Sequence, residues 1–260
     1  VSDPITYYRD SVWSIRFSTE NPVTKNGRIR VQFPKDVTMN PNTSVSGGTC
    51  SEWSCPGKKA TKNEIWFVVP KDIPAGEEIK LDIVGVNNPG TTRPTGTFKV
   101  TTFTPDGKFK IDDGYDTNTQ MSFLGELVSF SSTQTNFVNG QKNKYIFSME
   151  SNIPIKEGDK LSYQFPKEVV PPANSAELNC KTIFGIKEIE CTISGYIMNV
   201  IFKKFSNPTG TFQWSAENIR NPISTKPSSS FSNIVIVDKD LYQASAYSQD
   251  TPGITNKFTA

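Results

Sequence analysis

The sequence predicts an all-β chain: two tandem β-sandwich domains with strand-like terminal extensions. Three observations carry this. The hexapeptide Gln32-Phe33-Pro34-Lys35-Asp36-Val37 returns as Gln164-Phe165-Pro166-Lys167-Glu168-Val169, with similar landmarks in the same order around each copy. The 260 residues therefore read as two diverged copies of one unit, each of roughly 130 residues, an ordinary domain size. Short segments of alternating apolar and polar residues recur between Pro and Gly punctuation, and no window shows a helical period. The four cysteines fall two to a copy.

The elements follow in order. Residues 11–18 alternate, with Trp13, Ile15 and Phe17 on one face, until Asn21-Pro22 breaks the run. Lys25-Asn26-Gly27 is a turn, because Asn-Gly tolerates positive φ. Ile29, Val31 and Phe33 share the next apolar face, and Pro34 ends that strand by removing a ladder donor. A polar stretch carries Cys50 and Cys55. Residues 64–69 are a near-continuous apolar run suited to a central strand. Strands are further expected at 78–86, 97–103 and 108–111, separated by Asn88-Pro89 and Pro105-Asp106-Gly107.

The second copy keeps this plan. Residues 144–149 fall over the first strand with Phe147 over Phe17, and Gly158 falls over Gly27. Leu161, Tyr163 and Phe165 match Ile29, Val31 and Phe33, and Asn221-Pro222 matches Asn88-Pro89. Between the copies, 121–130 reads as one apolar strand that closes the first domain, opens the second, or does both. The expected domains are 1–120, with an N-terminal strand extension, and 121–260, with a C-terminal strand tail.

Composition narrows the function classes. A net charge of +2 with interspersed signs gives no basic field for nucleic acid. No apolar run approaches the length of a membrane-spanning helix, and the mean hydropathy is −0.44. Histidine is absent, which removes the commonest general base and metal ligand. Cysteine pairs at matching places read as one local disulfide per domain, Cys50–Cys55 and Cys180–Cys191, formed in an oxidising compartment. The alternative is four free thiols in a reducing one. Neither pair has zinc-site spacing. No catalytic residue, metal ligand or cofactor is assigned, and the chain reads as an extracellular or cell-surface protein rather than an enzyme.

Several residues are candidate sites. Asn42-Thr43-Ser44 is an N-glycosylation sequon in an expected polar loop. Asp106, Asp112, Asp113 and Asp116 cluster near the junction without matching a calcium loop. Glu188 and Glu190 alternate and share a strand face. Tyr7, Tyr8, Trp53 and Tyr242 are candidates for stacking on sugars, with glycans as the partners.

The ends carry the last expectation. Joining Ala260 to Val1 reproduces the internal junction almost without a gap, about where Val128 meets Ser131. Val1, Ile5 and Tyr7 alternate, as do Ile254 and Phe258, so either end is a candidate inter-subunit strand. Two tandem immunoglobulin-like sandwiches with such ends resemble the subunits of donor-strand filaments. Chaperone–usher pili are the known type, and extracellular filaments of tandem immunoglobulin-like protomers are similar in outline. The resemblance implies a secreted, structural, polymerising role with copies of the chain as partners. The competing reading is a cell-surface adhesin or carbohydrate-binding stalk.

Overall fold

The computed structural model describes all residues except 48–58, 62, 117–118 and 257–260. The chain divides into two compact units, Val1–Phe123 and Leu124–Ala260. Each is a two-sheet β-sandwich.

Unit 1 contains β1 (Ser11–Ser18), β2 (Arg28–Gln32), β3 (Thr38–Gly47), β4 (Lys59–Ala60), β5 (Glu64–Val68), β6 (Glu78–Asn87), β7 (Phe98–Phe103) and β8 (Lys110–Asp116). One sheet has the order β1-β6-β3 and the other β4-β5-β2-β7-β8. Period-two alternation turns Ile29, Val31, Ile65 and Phe67 inward from the second sheet to meet Trp13, Ile79, Leu81 and Ile83 from the first. Trp13, Phe33 and Phe98 form an aromatic cluster with ring centres 5.4–5.8 Å apart.

Unit 2 contains β9 (Gly125–Glu126), β10 (Ser129–Gln134), β11 (Lys142–Ser151), β12 (Lys160–Gln164), β13 (Lys181–Phe184), β14 (Ile186–Ser194), β15 (Ile197–Phe205), β16 (Gly210–Arg220), β17 (Ser232–Val237) and β18 (Gln243–Ala246). A single 3-10 turn, Ser175–Leu178, precedes β13. The sheets are β10-β11-β16-β13 and β14-β15-β12-β17-β18-β9. Phe147, Tyr163, Phe202, Phe212 and Trp214 are fully buried between them.

Hydrogen bonding corrects the expected register of the repeat. The amide of Asn26 donates to Val69 O and that of Gly158 to Phe202 O, both at 2.8 Å, and both residues are left-handed, with φ of 66° and 92°. Gly158 therefore stands in for Asn26, not Gly27. Along the first strand, Ser2 N donates to Val12 O as Thr135 N donates to Lys144 O. Tyr145 thus takes the place of Trp13, Phe147 that of Ile15 and Met149 that of Phe17. The expected match of Phe147 to Phe17 is off by two residues. A slip of two keeps the same face inward, so apolar alternation alone is blind to it.

The asparagines of the two Asn-Pro pairs do more than end a strand. Both are buried. Asn88 Oδ1 accepts from Trp13 Nε1 (2.9 Å), and Asn221 Oδ1 accepts from Tyr145 OH (2.9 Å). Asn88 Nδ2 donates to Asp3 O and Ile5 O; Asn221 Nδ2 donates to Asn136 O and Val138 O. Each amide latches the loop ahead of the first core strand.

The expected single strand over 121–130 is also corrected. Met121 belongs to the core of unit 1, whereas β9 and β10 belong to unit 2. Asn42 lies at an exposed position within β3, at an irregularity between Met39 and Ser44, and not in a loop.

Candidate functional site

The candidate site is a groove in unit 1, and unit 2 shows how such a groove is filled. There the segment β9–β10 crosses from one sheet to the other. Gly125 and Glu126 pair parallel with Ser245 and Ala246 of β18, and Leu127 N donates to Ala246 O. Val128 N then donates to Glu150 O, and β10 runs antiparallel to β11. Phe130 is 1% exposed, with its ring centre 5.0 Å from Tyr163, 6.0 Å from Phe231 and 6.4 Å from Phe147 and Trp214. One strand thereby satisfies two sheet edges and plugs the core.

Among the described residues of unit 1, no strand does this. β1 pairs with β6 alone, and β8 pairs with β7 alone. Ser2 bonds to the beginning of β1, through its amide to Val12 O and its Oγ to Val12 N; from Trp13 onward no described strand flanks the outer edge of β1, the side away from β6. Between the two edges lies a cavity of about 390 Å³, lined by Trp13, Ile15 and Phe17 of β1, Val31 of β2 and Phe98 and Val100 of β7. In the corrected register Ile15, Val31 and Phe98 stand for Phe147, Tyr163 and Phe231, which surround Phe130 in unit 2. The cavity is the position that the Phe130 ring occupies in the other copy. Ile15 and Phe17 are accordingly only half-buried, although Phe147 and Met149 are fully buried.

The outer edge of β1 offers alternating N–H and C=O groups to an incoming antiparallel strand, and the edge of β8 offers the same to a parallel one. The rim is polar: Asp112 accepts from Asn21 Nδ2 at 2.8 Å, and Arg16 and Asp116 also line the opening. This arrangement can hold an extended peptide. Among the described residues no group of three or more His, Cys, Asp or Glu is placed to hold a metal ion.

The other candidate residues are placed as follows. Cys180 and Cys191 form a disulfide, with Cα atoms 6.2 Å apart, that ties the entry of β13 to β14. Cys50, Cys55, Trp53 and Phe258 lie outside the described residues. Val1, 37% exposed, sits at the mouth of the groove. Ile5 bridges Phe123 within unit 1, and Tyr7 N donates to Pro89 O. The Tyr7 ring sits where a Cβ on residue 90 would meet it, so a larger residue at Gly90 would displace the ring. Ile254 is buried within unit 2, where its carbonyl accepts from Ser228 N. Glu188 and Glu190 pair with Lys204 and Lys203 across the strands. Asp113 is held down to about 2 by Lys110, Thr101 and Lys99, and Asp106 is lowered by Thr104 and the Lys108 amide. Tyr8 and Tyr242 are exposed. The groove residues Ile15 and Phe17 were not singled out from sequence. The available signal was the apolar face of β1, which alternates as fully as that of β11 yet is left uncovered.

No protein-family model matches the chain, and no curated protein matches it. Among the described residues no helix is long and apolar enough to cross a membrane. Similar solved structures include the C-terminal domain of the Streptococcus pyogenes antigen I/II-family protein AspA, at 7% identity over 99% of this chain and 94% of that one, TM-score 0.33. The collagen binding domain of Erysipelothrix rhusiopathiae surface protein RspB follows at 10% identity, 97% and 88% coverage and TM-score 0.29. The Enterococcus faecalis MSCRAMM ACE, which binds its ligands by the collagen Hug model, has 11% identity, 97% and 93% coverage and TM-score 0.26. At these scores the comparisons carry no functional argument, and the function is argued from the groove.

Proposed function

We propose that the chain is a structural, non-enzymatic module of an extracellular or cell-surface protein, joined head to tail to copies of itself by a β-strand that each neighbour lays into unit 1. The observation that supports this reading is the pair of open edges and the apolar cavity of unit 1, matched to the β9–β10 segment that closes unit 2. Strand addition satisfies an edge that is otherwise an aggregation hazard. A head-to-tail contact of this kind extends into a filament when its rotation does not close. The Cys180–Cys191 disulfide suits an oxidising, extracellular setting, and Asn42 is exposed and open to glycosylation.

The test is a synthetic peptide of residues 124–134 added to the full chain. The peptide should bind unit 1, and the Phe130→Ala peptide should bind at least about tenfold more weakly, since a buried aromatic ring is worth several kcal/mol. Negative-stain microscopy of the protein alone should show filaments that the peptide shortens. A monomeric protein that ignores the peptide overturns the reading.

A second reading, a cell-surface adhesin or carbohydrate-binding stalk, is favoured by a different observation. The outer face of the five-stranded sheet of unit 1 is aromatic and cationic.

A further inference from the structure

Strand register arranges the outer face of the β5-β2-β7-β8 sheet in rows. Trp66, Arg30, Thr101 and Asp113 stand side by side, and Glu64, Gln32, Lys99 and Tyr115 form the next row. On the other side lie Val68, Arg28, Phe103 and Lys110. The Trp66 and Phe103 rings stack with centres 5.1 Å apart, and the Arg30 guanidinium carbon lies 5.1 and 5.3 Å from them. Arg30 Nη2 donates to Thr101 Oγ1 at 3.4 Å. Lys99 Nζ sits 4.9 Å from the Tyr115 ring centre and 3.2 Å from Asp113 Oδ2, which also pairs with Lys110. Tyr115 is 66% exposed.

Two features single out this face. First, its charges do not cancel. Among the described residues, Arg28, Arg30, Lys99, Lys108 and Lys110 face only Glu64, Asp113 and Asp106 of the β7–β8 turn, whose carboxyl is lowered in part by the Arg28 charge. Glu64 is itself engaged by Trp66 Nε1 and Gln32 Nε2, and two lysines share the one Asp113 carboxylate. Second, the repeat supplies an internal control. The same face of unit 2 carries Asn199, Ser162, Val235 and Ala246 in one row and Ile201, Lys160 and Val237 in the next. Neither row holds an aromatic ring. Corresponding strands therefore carry a cationic, aromatic face in unit 1, whereas these two rows of unit 2 hold one lysine and otherwise uncharged, non-aromatic residues.

We infer that this face of unit 1 binds an anionic polysaccharide. The face spans about 14 Å from β5 to β8 at ordinary strand spacing, a width that suits an extended sugar chain. Trp66, Phe103 and Tyr115 offer ring surface to the apolar faces of sugars. Arg28, Lys99 and Lys110 offer donors to carboxylate or sulfate groups. The charge excess attracts such a chain in a salt-dependent way. This inference rests on the adhesin reading; the face shares Tyr115 with the rim of the groove, whereas Lys99 and Lys110 do not line it.

The experiment measures binding of the full chain to immobilised heparin (sulfated), polygalacturonate (carboxylated) and dextran (neutral), at low and high salt. Binding to at least one anionic polymer, weakened by salt, with none to dextran, is expected; the sulfated and carboxylated arms tell which group is preferred. Tyr115→Ala should weaken binding by about fivefold and the Lys99→Gln/Lys110→Gln pair by about tenfold or more, the scale of losing exposed ring and charge contacts. Lys160→Gln/Lys203→Gln in unit 2 should leave it unchanged. Tyr115 is exposed enough that its removal tests the face without endangering the fold, and unchanged thermal melting of each variant confirms this. Binding that all variants retain overturns this face while leaving the adhesin reading in place. Absence of binding to every polymer overturns both. Tighter binding to single-stranded DNA than to either anionic polymer overturns the polysaccharide assignment.

Discussion

The two units are the same sandwich in two states of completion. Unit 2 has β10 against β11, and Phe130 fills the space between Tyr163 and Phe231. Unit 1 has the same surrounding strands and a cavity in that space. Phe147 is fully buried in one copy, whereas its counterpart Ile15 is half-exposed in the other. The difference teaches that the fold tolerates an edge left without a strand among its described residues, because the core residues of unit 1 from Val23 to Phe98 stay buried. What the missing strand would add is closure of an edge and one plug of apolar surface.

The largest expected effect comes from emptying the filled slot. Phe130→Ala should destabilise unit 2 by about 3–5 kcal/mol, the range for deleting a buried aromatic side chain. Ile15→Ala should cost unit 1 at most about 2 kcal/mol, because its side chain already meets solvent. Hydrogen exchange resolved by unit, in rising denaturant, would show the asymmetry; equal losses would mean that the slot of unit 1 is closed in solution.

The buried amide latches come next. Asn221→Ala takes from the Tyr145 hydroxyl its 2.9 Å acceptor and from Val138 O its side-chain donor, and should cost about 3 kcal/mol. Asn88→Ala removes the acceptor of Trp13 and should cost about 2 kcal/mol. A smaller loss in unit 2 would contradict the view that its loop is the more tightly held. Replacing Cys180 and Cys191 by Ser should cost unit 2 about 2–3 kcal/mol by freeing a short loop in the unfolded chain, and should leave unit 1 unchanged.

The smallest effect is a divergence with pH. Lys110, Thr101 and Lys99 depress Asp113 of unit 1 to about 2. A lowered carboxyl contributes stability above its unfolded pKa and loses it as pH falls through the folded value, here between about 4 and about 2, with a loss below about 1 kcal/mol for so exposed a pair. In unit 2, burial raises Asp159. Its charged form is penalised in the fold, so acidification relieves that penalty as pH falls toward the ordinary carboxylate value. Melting curves should show the Asp159 contribution favouring unit 2 as pH falls to about 4 and unit 1 weakening below that, and Asp159→Asn should remove only the first trend.

Much of this was legible in the sequence, for identifiable reasons. Ile29, Val31 and Phe33 announce β2 because a half-buried strand must alternate, and Pro34 ends it because proline lacks a donor. Alternation could not fix the register between copies, since sliding Phe147 from Phe17 to Ile15 keeps both on the inward face. The junction was half legible: the apolar run 121–130 does serve two cores, Met121 in unit 1 and Phe130 in unit 2, but it does so as separate short elements, because the chain must leave one core before it enters the next. The groove was not legible because a cavity is a property of what packs across from Ile15 and Phe17, not of those residues. The latch role of Asn88 and Asn221 was hidden because Asn-Pro reads locally as a strand breaker, whereas the bonds it makes are to Trp13 and Tyr145, far away in sequence.

The Cys180–Cys191 link has a mechanical corollary. When a folded domain is pulled by its ends, the length it yields on rupture depends on how much chain can be drawn out. The crosslink, closing a separation of 11 residues, withholds about 35 Å of extended chain from any such rupture. A single-molecule pulling trace of the oxidised protein should therefore show unit 2 lengthening by that much less than the reduced protein does, so the redox state of the surroundings sets the reach of the tether.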